Sequence, residues 1–311
     1  MKKTSKPIVF FGSGPVAAAS LELLTANFTI EAVVTKPRPT HHKGDTPVLD
    51  VAQRLSLPVK TASNKNELDN LFSNRPFKST LGVLVDFGII VSRKVIDYFP
   101  LGIVNSHFSI LPEWRGADPI TFAILSGQKT TGVSLMLLVE AMDEGPLLAY
   151  GEYDIDDNTT TIELTRDLID LSDALLADQL PKYMAGETLC LPQTVTGRGV
   201  SYSRKLTKND GVLDWSKPAA VLEREIRAFI TWPKSRTKLA GKDVIITKAH
   251  VVPGNSPDKK PGDIETSLIT EGVLMIETGD GRLCIDMLKP ASKQEMTGKA
   301  FIAGHKKQLP G

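Results

Sequence analysis

The sequence predicts an α/β fold with a doubly wound, mostly parallel sheet, followed by a small C-terminal β-barrel domain. In the first half of the chain, short apolar runs alternate with segments of helical periodicity, which is typical of a parallel sheet covered by helices on both faces. In the last third, short strand-like runs are separated by glycine and proline turns, as in small barrels. A length of 311 residues suits two domains, because domains usually contain about 100–200 residues.

The first half supplies the predicted strands and helices of the sheet in alternating order. Buried apolar runs place strands at 8–11, 31–34, 81–85 and 103–107, and Val59 begins a further short extended run. Helical periodicity places helices at 17–24, 46–55 and 92–98. Ser92 stands at the start of the last of these helices, where a serine hydroxyl commonly caps free backbone N–H groups.

Beyond residue 130 the pattern changes to a long helix and then to short strands. An apolar run at 132–149 contains another predicted strand, and 160–184 is predicted to form one long packing helix. Its apolar residues recur at helical spacing: Leu164, Leu168, Leu171, Leu175, Leu176 and Leu180. A helix at 219–229 and strands at 244–247, 273–276 and 283–288 form the predicted barrel domain. We therefore expect a first domain at 1–189, a linker at 190–207 and a second domain at 208–311.

The composition predicts a reduced, cytoplasmic protein without a membrane segment. The two cysteines, Cys190 and Cys284, allow no disulfide framework and show no metal-ligand spacing. No apolar run reaches the roughly 18 residues expected of a membrane-spanning helix. The basic start of the sequence passes directly into the strand at 8–11, so we expect no signal or transit peptide.

The net charge of +1 conceals an asymmetry between the two parts of the chain. Residues 1–200 hold 18 Lys+Arg and 23 Asp+Glu, whereas residues 201–311 hold 19 and 13. A basic C-terminal third suits a module that binds phosphates. The alternative is that solvated lysine side chains simply cover one face of a small domain.

The stretch 103–120, with the sequence IVNSHFSILPEWRGADPI, holds the strongest chemical signal. Asn105 and His107 are two residues apart in a predicted strand, so their side chains share one face. Because the strand then breaks into a loop, both lie at its carboxyl end, where open α/β sheets bind ligands. An amide donor beside an imidazole suits stabilisation of an oxyanion on a carbonyl carbon, although either group can also cap a turn.

Asp143 adds a carboxylate to this pair, in a Gly/Pro loop (MDEGP) that follows another predicted strand. Together, the N-x-H-x-S-x-L-P run and this Asp before a Gly-containing loop resemble the formyltransferase family that uses 10-formyltetrahydrofolate. The resemblance implies a Rossmann-like catalytic domain in which Asn105, His107 and Asp143 form the catalytic set. It also implies a folate donor and no metal.

The resemblance further implies which loops line the folate pocket. In the family, the loop after the fourth strand contacts the pterin through apolar and backbone groups. The matching residues here are Phe87, Gly88, Ile89, Ile90 and Val91, with Ser109, Ile110, Leu111 and Pro112 from the N-x-H-x-S-x-L-P motif. Asp86 and Asp118 depart from the family pattern, since small residues are usual at both positions.

The C-terminal third resembles the second domain of the methionyl-tRNA formyltransferases, in the segments 207–229 and 279–301. The resemblance implies a barrel of the oligonucleotide-binding (OB) type that helps to hold tRNA. It also implies that the formyl group is transferred to the α-amine of methionyl-initiator tRNA for translation initiation. The resemblance implies tRNA contacts from the loop that contains Arg38 and Lys43, although this loop is shorter and has fewer charges than in the family. The basic excess of the C-terminal third predicts further contacts from Lys234 and Arg236, and we expect a monomer.

The mechanism implied by the resemblance begins with attack of a neutral amine on the formyl carbon. Asn105 and His107 would donate hydrogen bonds to the resulting oxyanion. Asp143 would orient His107 and, through a water molecule, help to carry a proton from the amine to the leaving nitrogen.

Three alternatives remain open from the sequence. An N-formyltransferase acting on an amino-sugar nucleotide would use the same donor and the same catalytic residues. An NADP-dependent oxidoreductase would use the G-x-G-x-x-A turn at 12–17, although Thr35 and Lys36 replace its usual acidic ribose partner. A non-catalytic tRNA-binding protein would not need the three catalytic side chains.

Overall fold

The computed structural model describes residues 6–39, 45–265, 271–305 and 308, and the chain divides into two compact units. The first unit contains Met1–Pro119, Thr130–Asp154 and Thr165–Ser203, and the second contains Ile120–Lys129, Ile155–Leu164 and Arg204–Gly311. The second unit therefore includes two segments that lie within residues 1–189.

A seven-stranded sheet forms the centre of the first unit. Its strands are β1 (Ile8–Phe11), β2 (Ile30–Thr35), β3 (Val59–Thr61), β4 (Gly82–Leu84), β5 (Ile103–His107), β7 (Thr130–Leu137) and β8 (Leu147–Asp154). The strand order is β3-β2-β1-β4-β5-β7-β8. The first five strands of that order pair in parallel, and β7 pairs antiparallel with both β5 and β8. The predicted mostly parallel sheet is confirmed.

The strand order reverses direction at β1, because β2 and β3 lie on one side of it and β4 and β5 on the other. Such a point opens a crevice beyond the carboxyl ends of the neighbouring strands, and ligands of α/β proteins bind there. A short strand β6 (Arg115–Gly116), which pairs with β9 (Tyr202–Ser203), lies in the loops beyond β5.

Helices connect the strands of the first unit largely as predicted. They are α1 (Pro15–Asn27), α2 (Pro47–Arg54), α3 (Lys65–Leu71), α4 (Arg93–Ile96), α5 (Pro119–Ser126) and α6 (Thr161–Met184). All of α5 except Pro119, and the first four residues of α6, belong to the second unit. Helix α4 is shorter than the predicted 92–98 helix. Ser92 precedes it without capping it, because the Ser92 hydroxyl donates to the Asp69 carboxylate instead.

Helix α3 is absent from the sequence prediction, although its cap is visible in the sequence. The Asn64 side chain accepts a hydrogen bond from the Glu67 backbone N–H at 3.0 Å, and the Glu67 carboxylate accepts one from the Ser63 N–H at 2.8 Å. An Asn followed three residues later by Glu is a known start signal. The helix is only two turns long, which leaves too few residues for a periodic pattern.

Aromatic side chains form the core beneath the carboxyl ends of β1 and β4. The ring of Phe11 lies 5.6 Å from that of Phe87 and 5.9 Å from that of Phe99, both in edge-to-face contact. Phe72 stacks on Phe11 with the ring centroids 5.9 Å apart. Aromatic pairs of this geometry contribute about 0.5–1.5 kcal/mol each beyond their buried area, so this core holds the strand ends in place.

The second unit is built on an antiparallel sheet. Its strands are β10 (Ser235–Leu239), β11 (Lys242–Val252), β12 (Met275–Glu277), β13 (Arg282–Pro290) and β14 (Met296–Thr297), with the helices α7 (Ala219–Ala228) and α8 (Gly298–His305). The order is β10-β11-β13-β12, and β14 pairs with β13. Leu222 and Ile226 of α7 share one buried core with Ile246, Leu283 and Ile285 of the sheet. The predicted small barrel-like domain is confirmed.

The ladder between β11 and β13 is interrupted. Ile246 pairs with Leu288, Lys248 with Met287 and Ala249 with Ile285, so that Thr247 on one strand and Asp286 on the other have no partner. Each interruption is a bulge, which locally increases the strand twist. Across the described ranges, no helix combines the length and the apolar character needed to cross a bilayer.

Candidate active site

Asn105 lies in the middle of the first unit's sheet, between Leu84 of β4 and Met136 of β7. The residue is 7% exposed, and no side chain or backbone group in the described ranges forms a hydrogen bond with its amide. The neighbouring Ser106 points to the opposite face, where its hydroxyl lies 2.7 Å from that of Ser172 in α6. The Asn105 amide is therefore held in place by packing, and its hydrogen-bonding groups can bind a ligand.

His107 shares this face of β5 and is held by a backbone carbonyl. Its Nε2 lies 3.0 Å from the carbonyl oxygen of Trp114. Because a carbonyl oxygen only accepts hydrogen bonds, we assign the ring proton to Nε2. The neutral imidazole then carries its lone pair on Nδ1, which lies 3.8 Å from Oδ2 of Asp143, too far for a hydrogen bond.

Asp143 follows β7 in a loop that brings its carboxylate to His107. Its Oδ2 accepts a hydrogen bond from the backbone N–H of Gly116 at 2.7 Å. Gly116 has a φ of +104°, and a Cβ there would lie 2.5 Å from the Ser203 carbonyl oxygen, so only glycine fits. Asp143 itself has a φ of +52°, a left-handed conformation that aspartate tolerates better than most residues.

Gln193 anchors the Asp143 loop from a 3-10 helix (Gln193–Thr196). Its Nε2 donates to the carbonyl oxygens of Asp143, at 2.7 Å, and Gly145, at 3.0 Å. Its Oε1 accepts from the Arg115 guanidinium at 2.7 and 3.2 Å, and Arg115 also pairs with Glu144 at 3.0 Å. Gln193 lies within the predicted linker 190–207, and no local pattern in the sequence indicates its role, because the carbonyl groups that it binds are about fifty residues earlier.

Models of known protein families match both parts of this chain. The model described as formyl transferase matches residues 6–180, which include Asn105, His107 and Asp143. The chain belongs to the formyl transferase family. A second model, described as the C-terminal domain of formyl transferase, matches residues 205–306.

Curated relatives cover nearly the whole of this formyltransferase. The methionyl-tRNA formyltransferase of Chloroflexus aggregans is 35% identical over 302 residues, 96% of each chain. That of Symbiobacterium thermophilum is 35% identical over 302 residues, 96% of this chain and 92% of the relative. Among solved structures, the N-formyltransferase from Helicobacter canadensis, in complex with folinic acid and dTDP-3-aminofucose, has a TM-score of 0.65 at 18% identity, over 91% of this chain and 99% of its own.

Of the residues predicted to line the folate pocket of this formyltransferase, some are buried and others are accessible to solvent. Phe87 is 2% exposed and packs on Phe11, whereas Ile90 is 76% exposed and Gly88 is also exposed. The motif residues Ser109, Ile110, Leu111 and Pro112 are all buried. Ser134 holds that loop, since its hydroxyl donates to the Ser109 carbonyl at 2.8 Å and accepts from the Leu111 N–H at 2.9 Å. The accessible part of the loop after β4 is therefore 88–91.

Asp86 closes the glycine turn that follows β1. A Cβ on Gly14 would lie 1.8 Å from Oδ2 of Asp86, so the carboxylate rests directly against this glycine. Desolvation by the surrounding protein and then the negative charge of Asp118 raise the pKa of Asp86 to about 6, while Lys36 acts in the opposite direction. A carboxylate in this position would repel the pyrophosphate of a dinucleotide, which disfavours the NADP alternative.

The predicted tRNA contacts lie in different surroundings. Arg38 is exposed and pairs with Asp50 at 2.9 Å, and Lys43 lies outside the described residues. Lys234 is exposed, whereas Arg236 is half-buried and donates to the carbonyl oxygen of Lys208. Other exposed cations on β10 and β11 are Lys238, Lys242 and Lys248.

Proposed function

We propose that this formyltransferase moves a formyl group from 10-formyltetrahydrofolate to the α-amine of methionine on initiator tRNA. The observation that carries the proposal is that Asn105 and His107 share one face of β5 and that the loop after β7 brings the Asp143 carboxylate to 3.8 Å from His107. The curated relatives, which carry this activity in their names and align over nearly the full chain, support the tRNA acceptor. The basic C-terminal third supplies charge suited to a phosphate backbone.

The reaction needs a hydrogen-bond donor that stabilises the oxyanion, and the Asn105 side-chain amide supplies it. As the amine nitrogen attacks, a carbon–nitrogen bond forms and the formyl oxygen gains negative charge. The buried Asn105 amide has no other hydrogen-bond partner in the described ranges, so its N–H can turn to that oxygen without breaking a bond. A donor of this kind contributes about 2.7–4 kcal/mol to transition-state stabilisation in well-characterised enzymes.

The reaction also needs a proton carrier, and the orientation of His107 suits that role. The attacking nitrogen becomes positively charged and must lose a proton, which the free Nδ1 of neutral His107 can accept. Asp143, 3.8 Å away, stabilises the resulting imidazolium. The proton then passes from Nδ1 to N10 of the folate as the bond between the formyl carbon and N10 breaks. This assignment differs from the two-donor scheme implied by the resemblance, because Nε2 already donates to Trp114.

We propose that the folate and the tRNA phosphates bind to different surfaces of the protein. We assign the pterin to the accessible residues 88–91, beside the crevice where the strand order reverses. We assign tRNA phosphates to the exposed lysines of β10 and β11, together with Lys234. We further propose that the protein acts as a monomer in the cytoplasm.

A comparison of three acceptors, each supplied separately, tests the proposal. The purified full-length chain receives 10-formyltetrahydrofolate and one of three acceptors: methionyl-initiator tRNA, methionyl-elongator tRNA or dTDP-3-aminofucose. We expect efficient formylation of the initiator tRNA, weaker formylation of the elongator tRNA and none of the sugar. Efficient formylation of the sugar nucleotide alone would replace the acceptor in the proposal, and failure with all three would overturn the transferase assignment.

A further inference from the structure

Three side chains that commonly bind metal ions meet on β11 and β13 of the second unit. His250 and Cys284 are direct partners in the ladder between these strands. Nδ1 of His250 lies 3.0 and 3.1 Å from the two carboxylate oxygens of Asp286. The ligand atoms of all three residues lie within 4.8 Å of one another. We refer to His250, Cys284 and Asp286 as the outer-face cluster.

The cluster lies on the side of the sheet that faces away from the hydrophobic core. Leu283 and Ile285, which flank Cys284 in β13, both belong to that core. Because side chains alternate along a strand, Cys284 points to the opposite face. Met275 of β12 is its ladder partner on the other side, so a thioether side chain shares this face with the thiol.

Regular alternation places Asp286 beside Cys284, because the two residues are two positions apart in β13. The ladder pairs Met287 with Lys248 and Ile285 with Ala249, which leaves Asp286 as the extra residue of a bulge. A bulge interrupts the alternation of side chains along its strand. Leu288 can therefore return to the core that contains Leu283 and Ile285, while Cys284 and Asp286 stay on the outer face.

We propose that the outer-face cluster binds a zinc ion, with water completing a tetrahedral set of ligands. An imidazole nitrogen, a thiolate and a carboxylate are the three protein ligand types of zinc. Calcium and magnesium prefer oxygen ligands throughout, whereas two of these three donors are nitrogen and sulfur. This zinc site is separate from the proposed active site, because the outer-face cluster contains none of the proposed catalytic residues.

The geometry of the cluster is close to that of a bound site. Zinc–ligand bonds of about 2.0–2.3 Å place tetrahedral ligands about 3.3–3.8 Å apart, and small side-chain rotations would bring the three ligand atoms to that spacing. The His250 side chain is 57% exposed and that of Asp286 is 31% exposed. These two side chains give the ion a route of entry and leave the fourth position open to water, whereas Cys284 is 9% exposed and forms the buried side of the site.

Titration of the full-length protein with cobalt(II), a spectroscopic substitute for zinc, tests the proposal. A thiolate bound to cobalt gives a charge-transfer band in the near ultraviolet, and a tetrahedral site gives visible d–d bands. We expect both bands to appear at one cobalt per chain and to disappear when zinc is added, since zinc occupies the same site. Absence of the charge-transfer band in the folded wild-type protein would overturn the proposal.

Variants identify the ligands in the same titration. Cys284→Ser should abolish the charge-transfer band, and His250→Gln and Asp286→Asn should each weaken cobalt and zinc affinity at least tenfold. Cys190→Ser and His305→Gln, which change a cysteine and a histidine outside the cluster, are the matched controls and should retain both bands. A band that survives Cys284→Ser, or that is lost in Cys190→Ser, would place the metal elsewhere and overturn the assignment.

Folding of the variants is measured independently of metal binding. His250 is an exposed side chain, so His250→Gln should unfold at the wild-type temperature without metal. Zinc should raise the unfolding temperature of the wild type and leave that of His250→Gln unchanged, because a ligand stabilises only the state that binds it. Equal stabilisation of both proteins by zinc would contradict a site that includes His250.

Discussion

At the residue scale, Asn105 differs from its neighbours in β5 because its buried side chain has no hydrogen-bond partner in the described part of the chain. Asn105→Ala should lower kcat about 10²–10³-fold, as expected when one oxyanion donor is lost, with little change in the free energy of unfolding. Single-turnover formylation measured beside a urea melt checks both expectations.

Ser106→Ala is the matched control for Asn105, since Ser106 lies on the same strand and faces α6. It should cost stability, because the hydroxyl of Ser172 loses its partner, and leave kcat near the wild-type value. Retention of more than a third of wild-type turnover by Asn105→Ala would remove Asn105 from the mechanism.

His107 and Asp143 should behave as one functional unit, because the carboxylate acts only by stabilising the imidazolium. His107→Ala and Asp143→Ala should each lower kcat by about 10²–10⁴-fold, the range of general acid–base catalysis. The double variant should be little worse than the poorer single variant. Losses that multiply would show that the two side chains act independently.

Asp86 should make stability depend on pH in a definite direction. Its pKa is raised to about 6 from an ordinary value of 3.8, so between these two values the folded protein keeps a proton that the unfolded chain has lost. Stability from this group therefore falls as the pH rises from about 4 to about 6. Asp86→Asn should remove this loss and be more stable than the wild type at pH 7, by less than about 1 kcal/mol because solvent reaches the side chain.

The check on Asp86 is a series of thermal melts between pH 4 and pH 7. Asp258→Asn, which changes an exposed aspartate of the second unit, is the control and should show no such pH dependence relative to the wild type. A stability difference between Asp86→Asn and the wild type that stays constant with pH would contradict the raised pKa.

The sequence predicted the positions of Asn105, His107 and Asp143, because a period of two within one strand and a Gly/Pro loop are local patterns. The orientation of the His107 ring was not predictable, since it depends on the Trp114 carbonyl in the following loop. The cluster of His250, Cys284 and Asp286 was equally hidden. Its histidine and cysteine are far apart in the chain, and only the pairing of β11 with β13 brings them together.

At the scale of elements, the loop after β7 depends on the 3-10 helix that contains Gln193. Gln193→Ala would leave the carbonyls of Asp143 and Gly145 and the guanidinium of Arg115 without their buried partner. We expect a stability loss of about 1–3 kcal/mol. We also expect kcat to fall at least tenfold while the KM for tRNA stays within twofold, because Asp143 loses its position beside His107.

Gln53→Ala, which changes an exposed glutamine of α2, is the control for Gln193 and should alter neither kcat nor stability. Steady-state kinetics at a temperature well below both unfolding transitions separates the two effects. A Gln193→Ala variant that is less stable but has the wild-type kcat would reduce Gln193 to a structural residue.

Elements with a strong apolar pattern were predicted more accurately than those without one. Helix α6 repeats its apolar spacing over 24 residues, and the four residues of β1 form a continuous buried run. Helices of one or two turns, such as α3 and α4, have no full period, and their ends depend on hydrogen bonds. Ser92 shows the consequence, since its hydroxyl binds Asp69 and not the helix that it precedes.

At the scale of the whole molecule, the basic excess of the C-terminal third should govern tRNA affinity. If the exposed lysines contact phosphates, affinity should fall with salt at a slope of about −0.9 per contact in a duplex stem. The double variant Lys238→Ala/Lys242→Ala should reduce the magnitude of that slope by about 2 and raise the KM for tRNA without changing the KM for the folate. The checking measurement is KM at a series of salt concentrations.

Lys60→Ala, an exposed lysine of the first unit, is the control for this charge effect and should keep the wild-type salt slope. A KM for tRNA that does not vary with salt would contradict phosphate binding altogether. Charge variants test the acceptor more cleanly than truncation at residue 204, because the second unit also includes 120–129 and 155–164, and truncation would leave those segments exposed.

The same discontinuity in the chain has a consequence for how the protein is made. A ribosome releases the N-terminal strands first, and domains generally fold in that order. The segments 120–129 and 155–164 cannot complete their contacts at that stage, since the rest of the second unit lies in residues 204–311, which are synthesised later. Closing such long loops costs entropy before any contact repays it. The second unit should therefore be the last part to become resistant to protease. Until then, the apolar side chains of 120–129 and 155–164 should be exposed on the nascent chain, where a chaperone could bind them.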